Sequence, residues 1–303
     1  MEVRQAIAGG RYVSTLAFSE FGSRSQFWAP LSTAASDGEG ASGAGAPTGT
    51  DGRGPKDPGA RQGDSVRLDA RKSWVTSAGQ ADGYVWSSRP LGAEGASTLW
   101  LVPADAAGLT VGAPFDGLGL RGNSSSPMTA EGVPVGTDAM LGPDGGGFDV
   151  MLGTVLPWFQ VMNAGFSVGT ADAATVKAAA HAASTRLEHL DQSLADNPVV
   201  RAHIARMRIT TDLADALLLD TVAALVTGRS DATLRVLEVK AAASTAATAV
   251  TDLAMTVCGG SAFRKEVGVE RNFRDARAAT VMAPTTDTLH DFIGRAVCGL
   301  PLF

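Results

Sequence analysis

Hydrophobic positions change their period near residue 145. Before that point, short β-branched and aromatic runs are bounded by Gly, Pro or Asp: Val13–Phe18, Ser73–Thr76, Tyr84–Ser87 and Thr98–Val102. Runs of this kind between turn residues predict strands. After it, the apolar spacing becomes helical. Phe148–Val168 carries Pro157, which starts or kinks a helix. Ala171–Leu194, Val199–Thr227 and Ala232–Cys258 are Ala- and Leu-rich, broken by Asn197-Pro198, Gly228 and Gly259-Gly260. Arg271–Met282 and Thr285–Val297 make two shorter helices, parted by Pro284. Long helices with short connections predict an antiparallel bundle. Strands followed by helices predict an α+β chain, with a β-domain over 1–145 and a helical domain over 146–303. Residues 34–65 have almost no large apolar side chain. Such a segment cannot offset its ordering entropy by burial, which predicts a disordered insertion on the surface of the β-domain, or a substrate lid.

Composition narrows the classes. The 303 residues are 45% hydrophobic and 18% charged, which is globular composition. The net charge is −6 and no basic patch is visible, so no nucleic-acid partner is expected. The N-terminal residues lack the apolar core of a signal peptide. The best candidate for a membrane span, Ala214–Val226, is interrupted by Asp215 and Asp220, so no span is expected and a cytoplasmic location is the natural reading. Cys258 and Cys298 fit neither a disulfide framework nor a Cys-only metal site, and two buried thiols are expected.

The usual catalytic constellations are missing: no phosphate loop, no His-Glu-x-x-His and no Gly-x-Ser-x-Gly elbow. Of the histidines His181, His189, His203 and His290, His189 follows Glu188 in a charged stretch expected to be a solvated helix face. Adjacent helix residues point apart, so no metal site is assigned. Three segments remain. Leu16 to Gln26 runs from a strand into a loop with one Gly, three Ser and one Arg, either an ordinary turn or a loop that presents hydroxyls and N–H groups to an anion. Trp74 and Thr76 are two apart on a strand and share a face. They are either a core indole beside a surface hydroxyl or a seat for a planar heterocycle. The third comprises Gly259-Gly260, Arg271 to Arg277 and Ala283 to Asp287, where Arg274 and Asp275 suggest a structural ion-pair network.

Taken in order, these segments resemble the acyl-CoA dehydrogenase family. The family's Thr-Glu-Pro-Gly-x-Gly-Ser-Asp loop is matched by Ser19-Glu20-Phe21-Gly22-Ser23-Arg24-Ser25-Gln26. Its Gly-x-Lys-x-Trp-Ile-Thr strand is matched by Ala70-Arg71-Lys72-Ser73-Trp74-Val75-Thr76. Its Leu-Gly-x-Arg-x-Ser element is matched by Leu118-Gly119-Leu120-Arg121-Gly122-Asn123-Ser124, and its Gly-Gly and Arg-Asp-x-Arg elements by Gly259-Gly260 and Arg274-Asp275-Ala276-Arg277. The resemblance implies an antiparallel, barrel-like β-domain followed by an antiparallel helical bundle. It also implies FAD held by the β-domain and the bundle, with a neighbouring subunit over the adenine end.

The same resemblance gives roles by position. Leu16, Phe18 and Ser19 would line the flavin ring, with Trp74 beside it and Thr76 toward its N5 edge. Ser25 would lie near the pyrophosphate or thioester, and Arg186 would meet the pyrophosphate from a second subunit. Gly259 and Gly260 would approach the adenosine, with Thr285 and Asp287 near the adenine end. The implied chemistry is removal of an α-proton and a β-hydride from an acyl-CoA or related thioester, as in fatty acid metabolism, in a homo- or hetero-oligomer (a dimer or tetramer) that passes electrons to an acceptor. Three departures accompany these matches. The family's N-terminal helical domain has no counterpart in this sequence. The position of the catalytic Glu holds Ala283, and the alternative Glu-Arg position reads Phe159-Gln160. Asp287 is the nearest carboxylate in sequence, expected one helical turn from Ala283. The resemblance therefore leaves open an altered dehydrogenase, a non-catalytic partner subunit, or a flavin monooxygenase on the same scaffold.

Overall fold

A computed structural model describes residues 2–23, 26–36 and 65–302. The chain divides into two compact units, Met1–Phe115 with Gly122–Leu152, and Asp116–Arg121 with Gly153–Phe303.

The first unit begins with helix α1 (Glu2–Ala8) and then builds two sheets. Strands β1 (Ser14–Ala17), β4 (Gly83–Ser88) and β5 (Thr98–Pro103) form one, in the order β1-β4-β5. Strands β2 (Thr33–Ser36), β3 (Ser65–Val75), β6 (Leu109–Val111) and β7 (Ser126–Gly136) form the other, in the order β2-β3-β7-β6. The expectation of an antiparallel barrel-like domain is corrected here. β1 runs parallel to β4, with Ser14 opposite Gly83 and Ala17 opposite Trp86, and among the described residues the strands make two separate sheets. The second sheet is antiparallel throughout. Thr33–Ser36, placed at the edge of the predicted insertion, is a strand paired with β3, and Ser65 already belongs to β3. Residues 37–64 lie outside the described residues.

β3 shows why its residues point as they do. Val66, Leu68 and Ala70 alternate inward while Arg67, Asp69 and Arg71 face out, the period-two pattern of a half-buried strand. The register against β7 then shifts between Lys72 and Val75. The irregularity changes the phase, so Lys72 and Ser73 are both buried and Val75, not Trp74, continues the core. The core itself is made by Tyr84, Trp86, Trp100, Val102, Met128 and Val133 with the β3 apolar row.

A carboxylate ties down the end of this unit. Asp144 accepts hydrogen bonds from the backbone N–H groups of Leu91, Gly92 and Ala93 and from the Thr98 hydroxyl, at 2.5–3.0 Å. Partial burial pushes its carboxyl up, but these four donors outweigh that and hold it down at about 2. Its folded pKa lies below its unfolded one, so its contribution is present above about pH 4 and is lost as the pH falls through about 2. Asp144→Ala should lower the unfolding free energy by about 1.5–3 kcal/mol in urea titrations at neutral pH, and the loss should shrink toward pH 2.

The unit closes with α2 (Gly147–Val150) and a π turn over Met151–Val155. The second unit is helical: α3 (Leu156–Ser184), α4 (Pro198–Thr227), α5 (Ala232–Cys258), α6 (Val269–Val281) and α7 (Thr286–Val297). Pro157 stands in the first turn of α3, directly after the π turn, so its missing N–H falls where the helical hydrogen-bond pattern changes. Two expectations change. α3 runs unbroken through Val168–Ala171, and the helix expected to reach Leu194 stops at Ser184. Residues 186–193 instead form a hairpin, β8 (Arg186–Leu187) with β9 (Gln192–Ser193), turning at Asp191 with φ +50°. Leu187, Leu190 and Leu194 mimic helical spacing there, while Asn197 caps α4 by accepting from Val199 N–H. Arg186 is thus on a strand, and Glu188 and His189 sit in a single 3-10 turn, Glu188–Leu190, between the two strands rather than on an α-helix.

α5 packs against α3, α4, α6 and α7. Its inward Ala241, Ala243, Ala246, Ala247 and Ala254 let neighbouring backbones come close. Ala232–Phe263 is long and apolar enough by length and composition to cross a membrane, with a window of mean hydropathy 1.2, so the best candidate for a span is this stretch and not the shorter Ala214–Val226. More than half of that window is buried in the bundle, which accounts for its composition. Cys258 is buried at the end of α5, but Cys298 is exposed beyond α7, against the expectation of two buried thiols.

Candidate functional site

On the first unit, the β3 irregularity places Trp74 outward, with 60% of its surface exposed. The reading of Trp74 as a core indole is excluded. Its ring lies 4.0 Å from that of Phe115 at 35°. Thr76, just past β3, is exposed on the same face and its hydroxyl lies 3.5 Å from the Ser125 hydroxyl. Leu16 is also exposed. Phe18 is not: its ring is buried and stacked on Phe27 at 6.3 Å, so it takes no part in an exposed face. Ser19 is half-buried, and its carbonyl accepts from Ser73 N–H. Ser25 lies outside the described residues.

Beneath this face lies a network that sequence reasoning missed. Lys72 is fully buried and donates to Glu20 Oε1 at 2.5 Å, to Ser87 O at 2.7 Å and to Ser87 Oγ at 2.9 Å. The Glu20 carboxylate also accepts from Leu31 N–H, Ser32 N–H and the Ser32 hydroxyl. Burial pushes the Glu20 carboxyl up, but Lys72, Ser32 and Leu31 outweigh it and hold it below the usual range. Burial pulls the Lys72 amine down. The Trp86 ring sits 5.0 Å from the Lys72 nitrogen. Glu20 thereby clamps both ends of the 20–32 loop to β3. The available signal was a Lys at an inward position of an apolar strand.

On the second unit, Leu118–Arg121 docks on α6. Arg274 donates to Leu118 O at 2.9 Å and Asp275 accepts from Leu120 N–H at 2.7 Å. A Cβ on Gly119 would come within 2.5 Å of the Arg274 carbonyl, so this close approach requires glycine. Arg274 also pairs with Glu270 at 2.7 Å and Asp275 with Arg271 at 3.4 Å, in line with the structural network expected.

Gly259 ends α5 at φ +54°, and both Gly259 and Gly260 are exposed with open space beyond them. Thr285 caps α7 by accepting from Thr288 N–H. Asp287 is exposed in the first turn of that helix. Ala283 precedes the cap, outside α7, so the expected helical-turn relation to Asp287 does not hold. Arg186 pairs with Asp191 within its hairpin.

The turn that carries Ala283 is held by Lys240 of α5, another residue that the sequence reading passed over. Its side chain is buried and donates to Met282 O at 2.9 Å and Pro284 O at 2.7 Å, the carbonyls on either side of Ala283. Burial without a partner carboxylate pulls its amine down to about 8 from the ordinary 10.5. Between those values the unfolded chain binds more protons, so Lys240 makes the fold more stable as pH rises from about 8 to about 10.5. In urea titrations, the stability of the wild type relative to Lys240→Met should climb across that window. Taking the difference removes the opposing titration of Cys258, whose thiol burial raises to about 11.

At the alternative position, Phe159 is half-buried and Gln160 is fully buried, with no hydrogen-bond partner among the described residues for either amide atom.

With this geometry in hand, comparison with known proteins is informative. Residues 45–133 match the acyl-CoA dehydrogenase middle domain and residues 145–298 the acyl-CoA dehydrogenase C-terminal domain. The bovine (Bos taurus) mitochondrial short-chain specific acyl-CoA dehydrogenase is 32% identical over 228 residues, 74% of this chain and 54% of that protein. The probable acyl-CoA dehydrogenase YngJ of Bacillus subtilis (strain 168) is 28% identical over 236 residues, 77% of this chain and 61% of its own length. The chain thus spans about half the length of the first of these relatives. Among solved structures, butyryl-CoA dehydrogenase from Megasphaera elsdenii superimposes with a TM-score of 0.82 at 20% identity, covering 97% of this chain and 70% of that one. The fold is therefore shared with that enzyme. The C-terminal match alone takes in half of the sequence and the middle-domain match precedes it in the expected order: the chain belongs to the acyl-CoA dehydrogenase family.

Proposed function

We propose that this chain carries the flavin-binding part of an FAD-dependent oxidoreductase that acts on the CH–CH group of an acyl thioester. The observation that carries the reading is the exposed Trp74, packed against the half-buried Phe115, with the Thr76 and Ser125 hydroxyls beside it. A large aromatic face left in solvent by a strand irregularity, edged by hydroxyls, has the chemistry of a seat for a flat, polar-edged ring. On the second unit, Gly259 and Gly260 keep open space where the resemblance puts the adenosine, and Thr285 and Asp287 flank the start of α7. When bound, FAD supplies a two-electron acceptor. The chain's own residues would orient the ring through Trp74 and Thr76.

The weak point of the reaction is proton removal. Neither Ala283 nor Phe159 can accept a proton, and a positioned base is worth about 10²–10⁴ in rate. That replacement also favours a second reading, in which a relative in a hetero-oligomer supplies the base. A flavin monooxygenase would need no α-proton base at all.

The experiment is to purify the chain, record its visible spectrum, and titrate it anaerobically with butyryl-CoA. Bound yellow flavin that Trp74→Ala loses supports the reading, and slow bleaching identifies an altered dehydrogenase. Bleaching that appears only after co-expression with a full-length relative identifies the partner subunit. Oxygen uptake with a hydroxylated product identifies the monooxygenase. Protein that takes up no flavin from solution, even in that co-expression, overturns the proposal.

A further inference from the structure

The inward face of α3 holds a row of polar atoms that nothing among the described residues satisfies. Gln160, Asn163 and Ser167 follow one another at intervals of three and four residues and so share a face. They are 0%, 7% and 0% exposed. Both amide atoms of Gln160, Oδ1 of Asn163 and Oγ of Ser167 are buried without a hydrogen-bond partner. On α5, against which α3 packs, Thr248 Oγ1 is buried in the same condition. Folded proteins almost always pair such atoms, and each orphan costs about 1–3 kcal/mol. The neighbouring inward positions of α3 are Ala164, Ala171, Ala174 and Ala178, so the bundle accepts apolar residues there. Three polar side chains in this setting point to a partner from outside the chain.

The row touches, at its middle residue, the turn already described. The Asn163 amide nitrogen lies 3.2 Å from Met282 Sδ, one residue before Ala283. Met282 and Ala283 are half-buried, so the turn that Asn163 touches is itself partly open to solvent. The donor and acceptor set restricts what fits. Gln160 offers two N–H donors and a carbonyl, Asn163 a free carbonyl, and Ser167 both functions. Two amide oxygens disfavour an anion, and the nearby buried amine of Lys240 disfavours a cation.

We propose that Gln160, Asn163 and Ser167 bind an uncharged group that both donates and accepts hydrogen bonds, and that the acyl substrate carries such a group, a hydroxyl or a carboxamide, close to its reacting carbons. The substrate half of this inference rests on the function proposed above. Ordered water has the same hydrogen-bonding chemistry and is the competing occupant.

Calorimetric titration of the purified full chain with butyryl-CoA and with 3-hydroxybutyryl-CoA separates the two, with flavin content read from the spectrum of the same sample. The hydroxylated thioester should bind about tenfold more tightly, as for one buried hydrogen-bonding pair made rather than left open. Gln160→Leu and, independently, Asn163→Leu should bring the ratio of affinities toward one. Thermal melts should show Gln160→Leu at least as stable as the wild type, because it removes an unpartnered amide. Equal affinities in the wild type, a ratio unchanged in both variants, or binding of neither thioester overturns the proposal. Flavin that bleaches with butyryl-CoA without any hydroxyl preference defeats this inference and leaves the oxidoreductase reading standing. A hydroxyl preference in protein that binds no flavin does the reverse.

Discussion

Lys72→Met should lower the unfolding free energy by about 3–5 kcal/mol, the range for removing one member of a buried ion pair. The size follows from what stays behind. Glu20 is buried and its carboxylate would keep only Ser32 and the Leu31 and Ser32 N–H groups as partners. The Ser87 carbonyl would lose a donor as well. Glu20→Gln should cost less, since a carboxamide can still accept from Leu31 and Ser32 N–H. The double variant should recover part of the loss, with a coupling of roughly 0.5–3 kcal/mol in a double-mutant cycle. Acid provides an independent check. The folded pKa of Glu20 is depressed, so its contribution is present above its unfolded value of 4.5 and is lost as pH falls through the lower folded value. The wild type should therefore weaken on acidification more steeply than Glu20→Gln does. Urea denaturation at neutral and acid pH measures both quantities. A Lys72→Met protein within about 1 kcal/mol of the wild type, the cost of one ordinary hydrogen bond, would mean that the Lys72–Glu20 pair does not clamp the loop.

The same substitution links the core to the exposed site. Lys72 begins the register shift that sends Trp74 outward, and Glu20 pins the loop on the neighbouring strand end. Loosening that clamp should weaken flavin retention even in protein that remains folded.

What could be read in advance follows from the range of the forces involved. The last four helices begin and end within about two residues of the limits drawn from Pro198, Gly228, Gly259 and Pro284, because caps and breakers act locally. β7 escaped notice because Pro127, Gly132 and Pro134 break its pattern, yet its residues pair with β3 for most of its length. The parallel pairing of β1 with β4 joins residues 69 apart in sequence, as Ser14 with Gly83, and leaves no local trace. The hairpin at 186–193 carries leucines at helical spacing, and only the left-handed Asp191 betrays the turn. For the site, motif order supplied Trp74 and Thr76, but not the direction of the indole. That direction depends on a one-residue change of phase, which sequence alternation alone would have set the other way. Phe18 shows the converse: it lies in a matching loop, yet its ring belongs to the core. The roles of Lys72, Lys240 and Gln160 were not assigned from sequence, since they lie in what surrounds each buried side chain.

Ala283→Glu should raise the rate of anaerobic flavin bleaching by acyl-CoA by about 10²–10⁴, the usual contribution of a positioned base and roughly 3–5 kcal/mol of barrier. Ala283 stands where the family resemblance puts the carboxylate, half-buried at the head of α7. Its backbone is fixed on both sides, because Lys240 binds the carbonyls of Met282 and Pro284. A side chain added at that point would therefore project from a defined turn. The buried Lys240 amine, which lacks a carboxylate partner, would favour the ionised form of the new group by charge attraction. Bleaching should then climb with pH through the carboxyl's titration and level off once it is ionised. Ala283→Gln has nearly the same volume but no proton-accepting charge, and should leave the slow rate as it is. Lys240→Met placed on top of Ala283→Glu should remove much of the gain while the flavin stays bound, which separates loss of positioning from loss of cofactor. Stopped-flow absorbance with butyryl-CoA reads all three. If the carboxylate gives no gain over Gln in protein that binds flavin and melts normally, the substrate's α-carbon does not face residue 283, and the missing base is not what limits this chain.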